Sequence, residues 1–378
     1  MNKLVKTSYS KEDVIVLLKD LSGQMVEMSA AEREKAIQSG KHYSTMLPEE
    51  KTPSDQYEKL FKQALRNNKN TVARDIAAVA EYIVAKTFKC NGKEPVIISL
   101  ARAGIPVGIL IKRYIKIKYN ISCPHYAISI IRDKGIDVNA MNYIYDEEVG
   151  KHFNNIENFL FVDGWTGKGA IKTQLEEAVA ELKLNNTKWS KLSSDLYVLA
   201  DPANITPYCG THADYLLPSA CLNSTVSGLT SRTILNDLID TDTDFHGAVY
   251  FKKFEDIDYS NEFINTITNE IKYLFGFNRI DENNIDKNIA TGMEVVNSIC
   301  SKFNIKDYKK VKPGIGETTR VLLRRVPWKV LLNTNVSEDD KDIRHIVLLC
   351  KTKNIPIERY ELGNYKVCGL IKDLSADA

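Results

Sequence analysis

A carboxylate, three glycines and a threonine follow one apolar run within seven residues. The run is Phe159–Val162, the segment after it reads Asp163-Gly164-Trp165-Thr166-Gly167-Lys168-Gly169, and a helical pattern begins at Ala170. Backbone N–H groups of a glycine loop and of a helix N-terminus can bind phosphate. The carboxylate could hold a ribose hydroxyl or a metal-bound water. Residues 163–169 are therefore candidates for sugar and phosphate binding; the alternative is an ordinary tight turn.

A second loop with the same context lies earlier in the chain. Arg102, Ala103 and Gly104 follow the apolar segment Pro95–Leu100 and precede another helical pattern. An arginine can form a bidentate pair with phosphate, and a glycine lets the backbone approach a ligand closely. The alternative is an exposed arginine in a turn. Two such loops in one sheet favour the phosphate interpretation.

Two further segments carry polar groups that could complete a site. Arg132 follows a predicted strand and could close over a bound phosphate, with Asp137 orienting it or binding a metal; a plain surface loop is the alternative. Candidate substrate contacts, rich in uncharged hydrogen-bonding groups, are Cys221, Asn223, Ser224 and Thr225.

The elements that would position these residues alternate between helix and strand from about residue 70. Apolar runs predict strands, and 3.6-residue periodicity predicts helices between them. The predicted strands are Pro95–Leu100, Tyr126–Ile131, Phe159–Val162, Leu196–Leu199 and Tyr215–Leu217. The predicted helices are Thr71–Phe88, Val107–Tyr119 and Ala170–Leu184. This alternation predicts an α/β fold with a parallel sheet and flanking helices, and both loops fall at the carboxyl ends of strands, where such sheets bind ligands.

The pattern divides the chain into three parts. Residues 1–66 are predicted to form a helical cap of short helices, with Leu17, Leu18 and Leu21 as an apolar stripe. Residues 67–278 hold the alternating α/β pattern, and the polar segment 278–288 is a predicted linker. Residues 284–378 repeat the alternation on a smaller scale, which predicts a small C-terminal α/β domain.

Composition excludes several classes of protein. The 378 residues are 43% hydrophobic and 26% charged, with a net charge of +2. No run of about 18 apolar residues occurs, so no membrane partner is expected. The seven scattered cysteines form no C-x-x-C pair, which argues against a zinc site or a disulfide framework and favours a reducing cytoplasm.

The loop at Asp163–Gly169 resembles the 5-phosphoribosyl-1-pyrophosphate (PRPP) loop of type I phosphoribosyltransferases, and Ser99–Gly108 resembles their pyrophosphate loop. The resemblance implies a transferase that uses PRPP and Mg²⁺ to make or break an N-glycosidic bond. It implies that Asp163 holds the ribose, directly or through a metal, and that residues 164–169 hold the 5-phosphate. Arg102, Ala103 and Gly104 would receive pyrophosphate. Gly164 stands where the second acid of that family is expected.

Further segments narrow the resemblance. Ser39–Ser44, Ser129–Arg132 with Gly135–Asp137, and Pro218–Leu229 resemble the phosphoribosyltransferase-like family of tellurium-resistance gene clusters, some members of which are labelled StiP cysteine proteases. That resemblance covers nearly the whole chain. Family members carry a C-terminal Pelota/L7Ae-like RNA-binding domain.

The C-terminal residues support the same resemblance. The segment 312–320 (KPGIGETTR) is similar to the RNA-contacting loop of L7Ae-like domains, which implies RNA contacts by Lys312, Gly314, Glu317 and Arg320. Gly316 replaces the asparagine that reads bases in that family. Basic residues outnumber acidic ones around this loop, as a polyanion-binding surface requires.

These observations predict a phosphoribosyltransferase whose partners are PRPP or a nucleotide-like molecule and RNA, with a homodimer as a further option. The second hypothesis is a non-catalytic module that senses a nucleotide and binds RNA. A protease would need a thiolate beside a base. Cys221 with His246 and Cys209 with His212 are the candidate pairs, but neither lies in a recognised nucleophile motif, so the sequence favours small buried cysteines instead.

Overall fold

The chain forms a mixed α/β structure, and the computed structural model describes residues 3–274 and 285–372. Its strands are β1 (Ile15–Val16), β2 (Lys19–Asp20), β3 (Glu27–Met28), β4 (Leu47–Pro48), β5 (Val96–Leu100), β6 (His125–Ile128), β7 (Ile130–Ile131), β8 (Gly135–Ile136), β9 (Phe159–Trp165), β10 (Leu196–Ala200), β11 (Cys209–Thr211), β12 (Gly247–Ala248), β13 (Val311–Pro313), β14 (Pro327–Asn333), β15 (Ile357–Tyr360) and β16 (Val367–Ile371). Its α-helices are α1 (Ala30–Gln38), α2 (Asp55–Lys86), α3 (Phe88–Asn91), α4 (Gly104–Tyr119), α5 (Val138–Tyr145), α6 (Ala170–Asn185), α7 (Pro218–Cys221), α8 (Ser260–Ile271), α9 (Gly292–Phe303), α10 (Ile315–Arg324) and α11 (Arg344–Lys353).

A parallel sheet in the order β1-β6-β5-β9-β10-β11 forms the centre of the larger unit. Every residue of β5, β6 and β10 is buried. Alternate residues face opposite sides: Ile97 and Leu160 pack with α2, α4 and α8, whereas Ile98 and Phe161 pack with α5 and α6. Helices on both faces account for the continuous apolar runs of these strands. The predicted parallel sheet with flanking helices is confirmed.

The N-terminal part differs from the predicted helical cap. β1 pairs with β6 at the edge of the central sheet, so residues 15–16 belong to that sheet. Leu17, Leu18 and Leu21 are buried as predicted, but not on a helix. The run Val14–Leu18 is rich in β-branched residues, which fit an extended strand better than a helix. The predicted boundary at residue 66 falls inside α2.

One predicted strand is absent at its expected place. Tyr215–Leu217 is buried but forms no strand; it is the segment leading into α7. Of the predicted linker 278–288, residues 278–284 lie outside the described residues. Across residues 3–274 and 285–372, no helix combines the length and apolar character that a membrane crossing requires.

The C-terminal unit is a small α/β structure, as predicted. Its sheet has the order β13-β16-β14-β15, with β16 antiparallel to both neighbours and β15 parallel to β14. Helices α9, α10 and α11 accompany this sheet. Val296, Ile299 and Leu331 lie in its core.

This unit packs directly against the larger one. The Tyr365 hydroxyl donates to the carbonyl oxygen of Gly167 at 2.5 Å. The backbone amide of Gly292 donates to the carbonyl oxygen of Ala203 at 2.8 Å. The Asp214 carboxylate accepts from the amides of Ile315 (3.1 Å) and Lys366 (2.9 Å). The C-terminal unit is therefore fixed over the carboxyl ends of β9 and β10.

Candidate functional site

The two predicted phosphate loops lie against each other at the end of the sheet. A side chain at Gly104 would meet the Val162 carbonyl oxygen at 2.3 Å, and one at Gly164 would meet the Ala103 carbonyl oxygen at 3.0 Å. Asp163 is only 8% exposed, and its Oδ1 accepts from the amide of Gly164 at 2.7 Å. Burial raises the pKa of this carboxyl to about 7. Asp163 is therefore a buried acid whose protonated form is favoured by its surroundings.

The rest of the glycine loop is occupied by protein contacts. Thr166 donates its hydroxyl to Asp201 Oδ1 at 2.5 Å. The Gly167 carbonyl accepts from Tyr365, and the ammonium of Lys168 donates to the Tyr308 carbonyl at 2.5 Å. Burial, and then the charge of Lys312, lower the pKa of Lys168 to about 8. Gly169 follows with a φ of 89° at the start of α6.

Arg102, Arg132 and Asp137 occupy separate positions. Arg102 donates to the Thr230 carbonyl at 2.9 Å. The Arg132 backbone amide donates to the Tyr43 hydroxyl at 3.0 Å, while its side chain is exposed. Both oxygens of buried Asp137 accept backbone hydrogen bonds, from Ala140 at 2.9 Å and from His246 at 2.6 Å. Asp137 thus caps α5 and fixes a neighbouring strand.

The predicted substrate segment is largely buried. Cys221 Sγ contacts the Leu217 carbonyl at 3.7 Å, and burial raises the pKa of its thiol to about 12. The amide and hydroxyl of Ser224 donate to Glu50 at 3.0 and 3.1 Å. Asn223 precedes it, and Thr225 is buried. Because His246 bonds to Ser129 at 2.8 Å, the Cys221–His246 pairing has no support in these contacts.

The predicted RNA loop faces the larger unit. Gly314 has a φ of 91°, and a side chain there would meet the Trp165 ring at 2.7 Å. Glu317 forms ion pairs with Arg320 at 3.0 Å and with Lys312 at 3.9 Å. A pocket beside them is lined by Trp165, Tyr215, Leu217, Ala220, Gly316, Glu317 and Arg320. The loop therefore opens onto a cleft shared by both units.

A cysteine, a histidine and an aspartate meet at the ends of β10 and β11. Cys209 Sγ lies 3.6 Å from His212 Nε2. On the other side of the ring, His212 Nδ1 lies 2.9 Å from the backbone carbonyl oxygen of Asp201. The carboxylate oxygen Oδ2 of Asp201 lies 3.3 Å from the same nitrogen. Because β10 and β11 are parallel neighbours, with Ala200 opposite Thr211, their carboxyl ends bring these residues together.

The electrostatics of this cluster suit an ion pair. Burial alone would lower the pKa of His212, but hydrogen bonds with Asp201 and then Cys209 outweigh it and raise that pKa to about 11. A protonated imidazole stabilises a neighbouring thiolate, which is the reactive form of cysteine. Asp201 is itself fixed, since its Oδ2 accepts from the amides of Ile205 and Thr206 at 2.8 and 2.9 Å.

The same three residues could also be considered as metal ligands, since their donor atoms lie within 4.8 Å of one another. The Asp201 oxygens, however, already accept three hydrogen bonds from Thr166, Ile205 and Thr206. His212 Nδ1 faces the Asp201 carbonyl. This leaves one nitrogen and one sulfur for a metal, fewer than the three protein ligands typical of zinc sites. The arrangement fits a nucleophile, a base and an orienting acid better.

Sequence reasoning missed most of this site. The sequence does not indicate Asp201 as a site residue. It offers Cys209 with His212 only as one of two possible cysteine–histidine pairs. The available signal was a cysteine and a histidine three residues apart, Cys209 and His212. They follow the predicted strand Leu196–Leu199 and the acid Asp201, which lies two residues after that strand. Cys209 is buried, as the interpretation of small buried cysteines expects, but it also contacts a histidine.

Comparison with known proteins identifies the family. Residues 7–268 match the family described as "Tellurite-like stress resistance cysteine protease StiP", and residues 290–373 match the PELOTA RNA binding domain. The chain is 33% identical over 380 residues to "Cysteine protease StiP" of Acinetobacter baylyi (strain ATCC 33305 / BD413 / ADP1), covering 97% of this chain and 94% of the relative. The chain belongs to the StiP family and carries a C-terminal Pelota RNA-binding domain.

These findings correct the predicted activity. The prediction of a phosphoribosyltransferase acting on PRPP is wrong, because the family and the relative are named as cysteine proteases. The expected membership of a tellurium-stress family and the RNA-binding domain are confirmed.

Proposed function

We propose that this protein is a cysteine protease whose nucleophile is Cys209. His212 serves as the acid and base, and Asp201 orients its ring. The observation that carries the proposal is the 3.6 Å contact between Cys209 Sγ and His212 Nε2, with Asp201 on the far side of the ring. This order of groups is the one that nucleophilic acyl transfer requires.

The proposed reaction follows from the roles of these groups. The Cys209 thiolate attacks the carbonyl carbon of an amide, and the C–N bond breaks as the His212 imidazolium gives its proton to the leaving amine. A water molecule then attacks the thioester while His212 takes a proton from it. The acid product leaves, and the thiolate returns. His212 Nδ1 donates to the Asp201 carbonyl oxygen, which directs Nε2 toward sulfur, and the nearby Asp201 carboxylate stabilises the protonated ring.

Access to the sulfur is restricted. Cys209 is 3% exposed and the His212 side chain 19%, whereas Ala213 is exposed. A peptide therefore reaches Cys209 from the side of His212 and Ala213, after this short segment moves outward.

Two measurements on the full-length protein test this proposal. Cleavage of fluorescein-labelled casein should be lost in Cys209→Ala and retained in Cys221→Ala, the matched control at a buried thiol. Iodoacetamide at mildly acidic pH should label Cys209 faster than Cys90, although Cys90 is the exposed thiol. Labelling that follows exposure alone, or cleavage that survives Cys209→Ala, would contradict the role of Cys209.

We also propose that the C-terminal unit binds RNA. The match of residues 290–373 to the PELOTA RNA binding domain supports this second function, together with the basic residues around α10. Titration of the full-length protein with labelled oligouridylate and with a kinked stem–loop RNA tests it. Binding should weaken as salt rises, because each phosphate contact releases counterions.

Finer features of the sequence prediction remain proposals. A cytoplasmic location is supported by seven free cysteines. A phosphoribosyltransferase-like topology of the sheet is supported by the glycine loops after the neighbouring strands β5 and β9. Domain bounds of 67–278 and 284–378, the site roles of residues 102–104 and 163–169, Mg²⁺ binding and a homodimer stay predictions from the sequence.

A further inference from the structure

Three neighbouring strands of the central sheet end in one row of polar residues. Trp165 of β9, Ala200 of β10 and Thr211 of β11 lie opposite one another in the parallel pairing. The residues that directly follow them in the chain are Thr166, Asp201 and His212. Because parallel strands end at the same edge of a sheet, these three side chains come side by side. The row begins in the glycine loop, whose residues the proposed reaction does not use.

Thr166 is bound to the segment around Asp201 at three points. Its hydroxyl donates to Asp201 Oδ1 at 2.5 Å and accepts from the backbone amide of Ala203 at 3.3 Å. Its own amide donates to the Ala200 carbonyl oxygen at 3.2 Å. Thr166 is 5% exposed, and Asp201 is fully buried. A hydrogen bond to a buried charged group is stronger, and costs more to lose, than one between neutral groups at the surface.

Two sets of donors hold the Asp201 carboxylate. Oδ2 accepts from the amides of Ile205 and Thr206 at 2.8 and 2.9 Å and lies 3.3 Å from His212 Nδ1. Oδ1 accepts from Thr166. Since donors at Oδ2 alone would let the carboxylate pivot about that oxygen, the bond to Thr166 sets the direction of its plane. Loss of this donor would also disfavour the negative charge of the buried carboxylate beside His212.

The partner of the Thr166 hydroxyl distinguishes this residue from a threonine that only stabilises its own turn. Such a threonine bonds to backbone groups of the same loop. Thr166 instead donates to a carboxylate 35 residues later in the chain. The next residue of its loop is fixed independently, because the Gly167 carbonyl oxygen accepts from the Tyr365 hydroxyl at 2.5 Å. The loop thus presents the Thr166 hydroxyl to Asp201 from a held position.

We propose that Thr166 is a positioning residue of the protease. Its hydroxyl fixes the Asp201 carboxylate in the place from which this carboxylate stabilises the protonated ring of His212 beside Cys209. Thr166 acts through Asp201 and takes no part in the bonds that form and break. The inference rests on the protease function proposed above, and it gives the glycine loop a role in that function.

Three variants of the full-length protein test this role. Thr166→Val keeps the shape of the side chain but removes its hydroxyl, whereas Thr166→Ser keeps the hydroxyl. The matched control is Thr87→Val, since Thr87 is 1% exposed and its hydroxyl donates to the Ile83 carbonyl oxygen at 2.7 Å. Thr87 lies at the amino-terminal edge of the sheet, away from the proposed site, because the adjacent Lys86 pairs with Asp195, just before β10. Thermal melting verifies folding, and Thr166→Ala takes the place of Thr166→Val if the valine prevents it.

The readouts are the steady-state kinetics of labelled-casein cleavage and the pH dependence of Cys209 alkylation by iodoacetamide. We expect Thr166→Val to lower kcat about tenfold or more and to change KM by less than about twofold. Its Cys209 alkylation should rise only at higher pH than in wild type, because a less stabilised imidazolium supports the thiolate less. Thr166→Ser and Thr87→Val should behave like wild type in both measurements.

A double variant separates positioning from general damage to the structure. Added to Asp201→Asn, Thr166→Val should lower the rate by less than about twofold further, since both changes act on one group. Wild-type kinetics in Thr166→Val, an equal loss in Thr166→Ser, or a fully additive loss in the double variant would overturn the role of Thr166 and leave Cys209 as the nucleophile. If the wild-type protein neither cleaves casein nor labels Cys209 faster than Cys90, the protease function itself is refuted.

Discussion

The side-chain amide of Asn204 donates a hydrogen bond of 2.9 Å to the carbonyl oxygen of Ile289. Asn204 lies three residues after Asp201, and Ile289 leads into α9 of the C-terminal unit. The neighbouring Ala203 carbonyl accepts from Gly292 at 2.8 Å. The loop that carries the orienting carboxylate of the proposed protease site is therefore held by the RNA-binding unit as well.

Replacing Asp201 with Asn should reduce peptide cleavage by about a hundredfold or more. The amide keeps the shape of the side chain but removes the negative charge that stabilises the protonated ring of His212. Alkylation of Cys209 should at the same time become strongly dependent on pH. Kinetics of casein cleavage and of iodoacetamide labelling measure both effects. Asp195→Asn, at a surface ion pair with Lys86, is the control. Equal loss in the two variants would argue against a special role for Asp201.

The substitution His212→Gln should change how the free energy of unfolding depends on pH. The folded-state pKa of His212 is raised from 6.5 to about 11 by Asp201 and Cys209, which overcome the effect of burial. The imidazolium therefore stabilises the folded state fully below about pH 6.5, and this contribution is lost as pH rises through about 11. We expect the variant to be less stable by at least about 1.4 kcal/mol at mildly acidic pH, the equivalent of one pKa unit.

Urea denaturation at several pH values measures this difference. The deficit of His212→Gln should shrink in alkaline solution. The exposed His152 provides the control variant His152→Gln, for which no comparable trend is expected. A deficit that stays constant with pH would mean that the glutamine acts through packing alone.

Asp163→Asn should stabilise the protein near neutral pH. Burial raises the pKa of Asp163 from 3.8 to about 7, so folding favours its protonated form. Stability then falls by up to about 1.4 kcal/mol for each pH unit between those two values as pH rises. An asparagine removes this loss and keeps an oxygen for the Gly164 amide. Melting temperatures across mildly acidic and neutral pH, with the exposed Asp256→Asn as control, should show a flatter profile only for Asp163→Asn.

Gly314→Ala should disturb the contact between the two units. A side chain there would lie 2.7 Å from the Trp165 ring, and the φ of 91° is unfavourable for alanine. We expect a loss of about 1–3 kcal/mol and a changed tryptophan emission. Gly316→Ala is the matched control, since its nearest neighbour is Ala220 Cβ at 3.3 Å and its φ is not positive. Similar losses for both alanines would refute a specific clash with Trp165.

The sequence predicted the central sheet because buried parallel strands are continuous apolar runs. Val96–Leu100 and Leu196–Ala200 are such runs, and the helices between them show clear periodicity. β11 escaped prediction because Cys209-Gly-Thr211 has no apolar pattern of its own. Its position beside β10 depends on tertiary packing.

The proposed protease site could not be found without that neighbour relation. Asp201 and Cys209 are eight residues apart in sequence, and only the pairing of β10 with β11 brings them to opposite sides of the His212 ring. The glycine loop was predicted to begin at Asp163, but β9 continues to Trp165, so the turn is shorter than predicted. Its contacts with Tyr308 and Tyr365 depend on a unit more than a hundred residues later, which no local pattern reveals.

The shared packing around residues 201–217 has a consequence for the covalent chain itself. Ala203 lies in the same apolar core as Val296 and Tyr365, while Tyr215 and Leu216 share one with Ile315 and Leu322. Two separate polypeptides ending at residue 274 and starting at residue 285 would each expose the surface that the other covers. Co-expressed, they should associate and co-purify as a split protein, whereas the first fragment alone should aggregate.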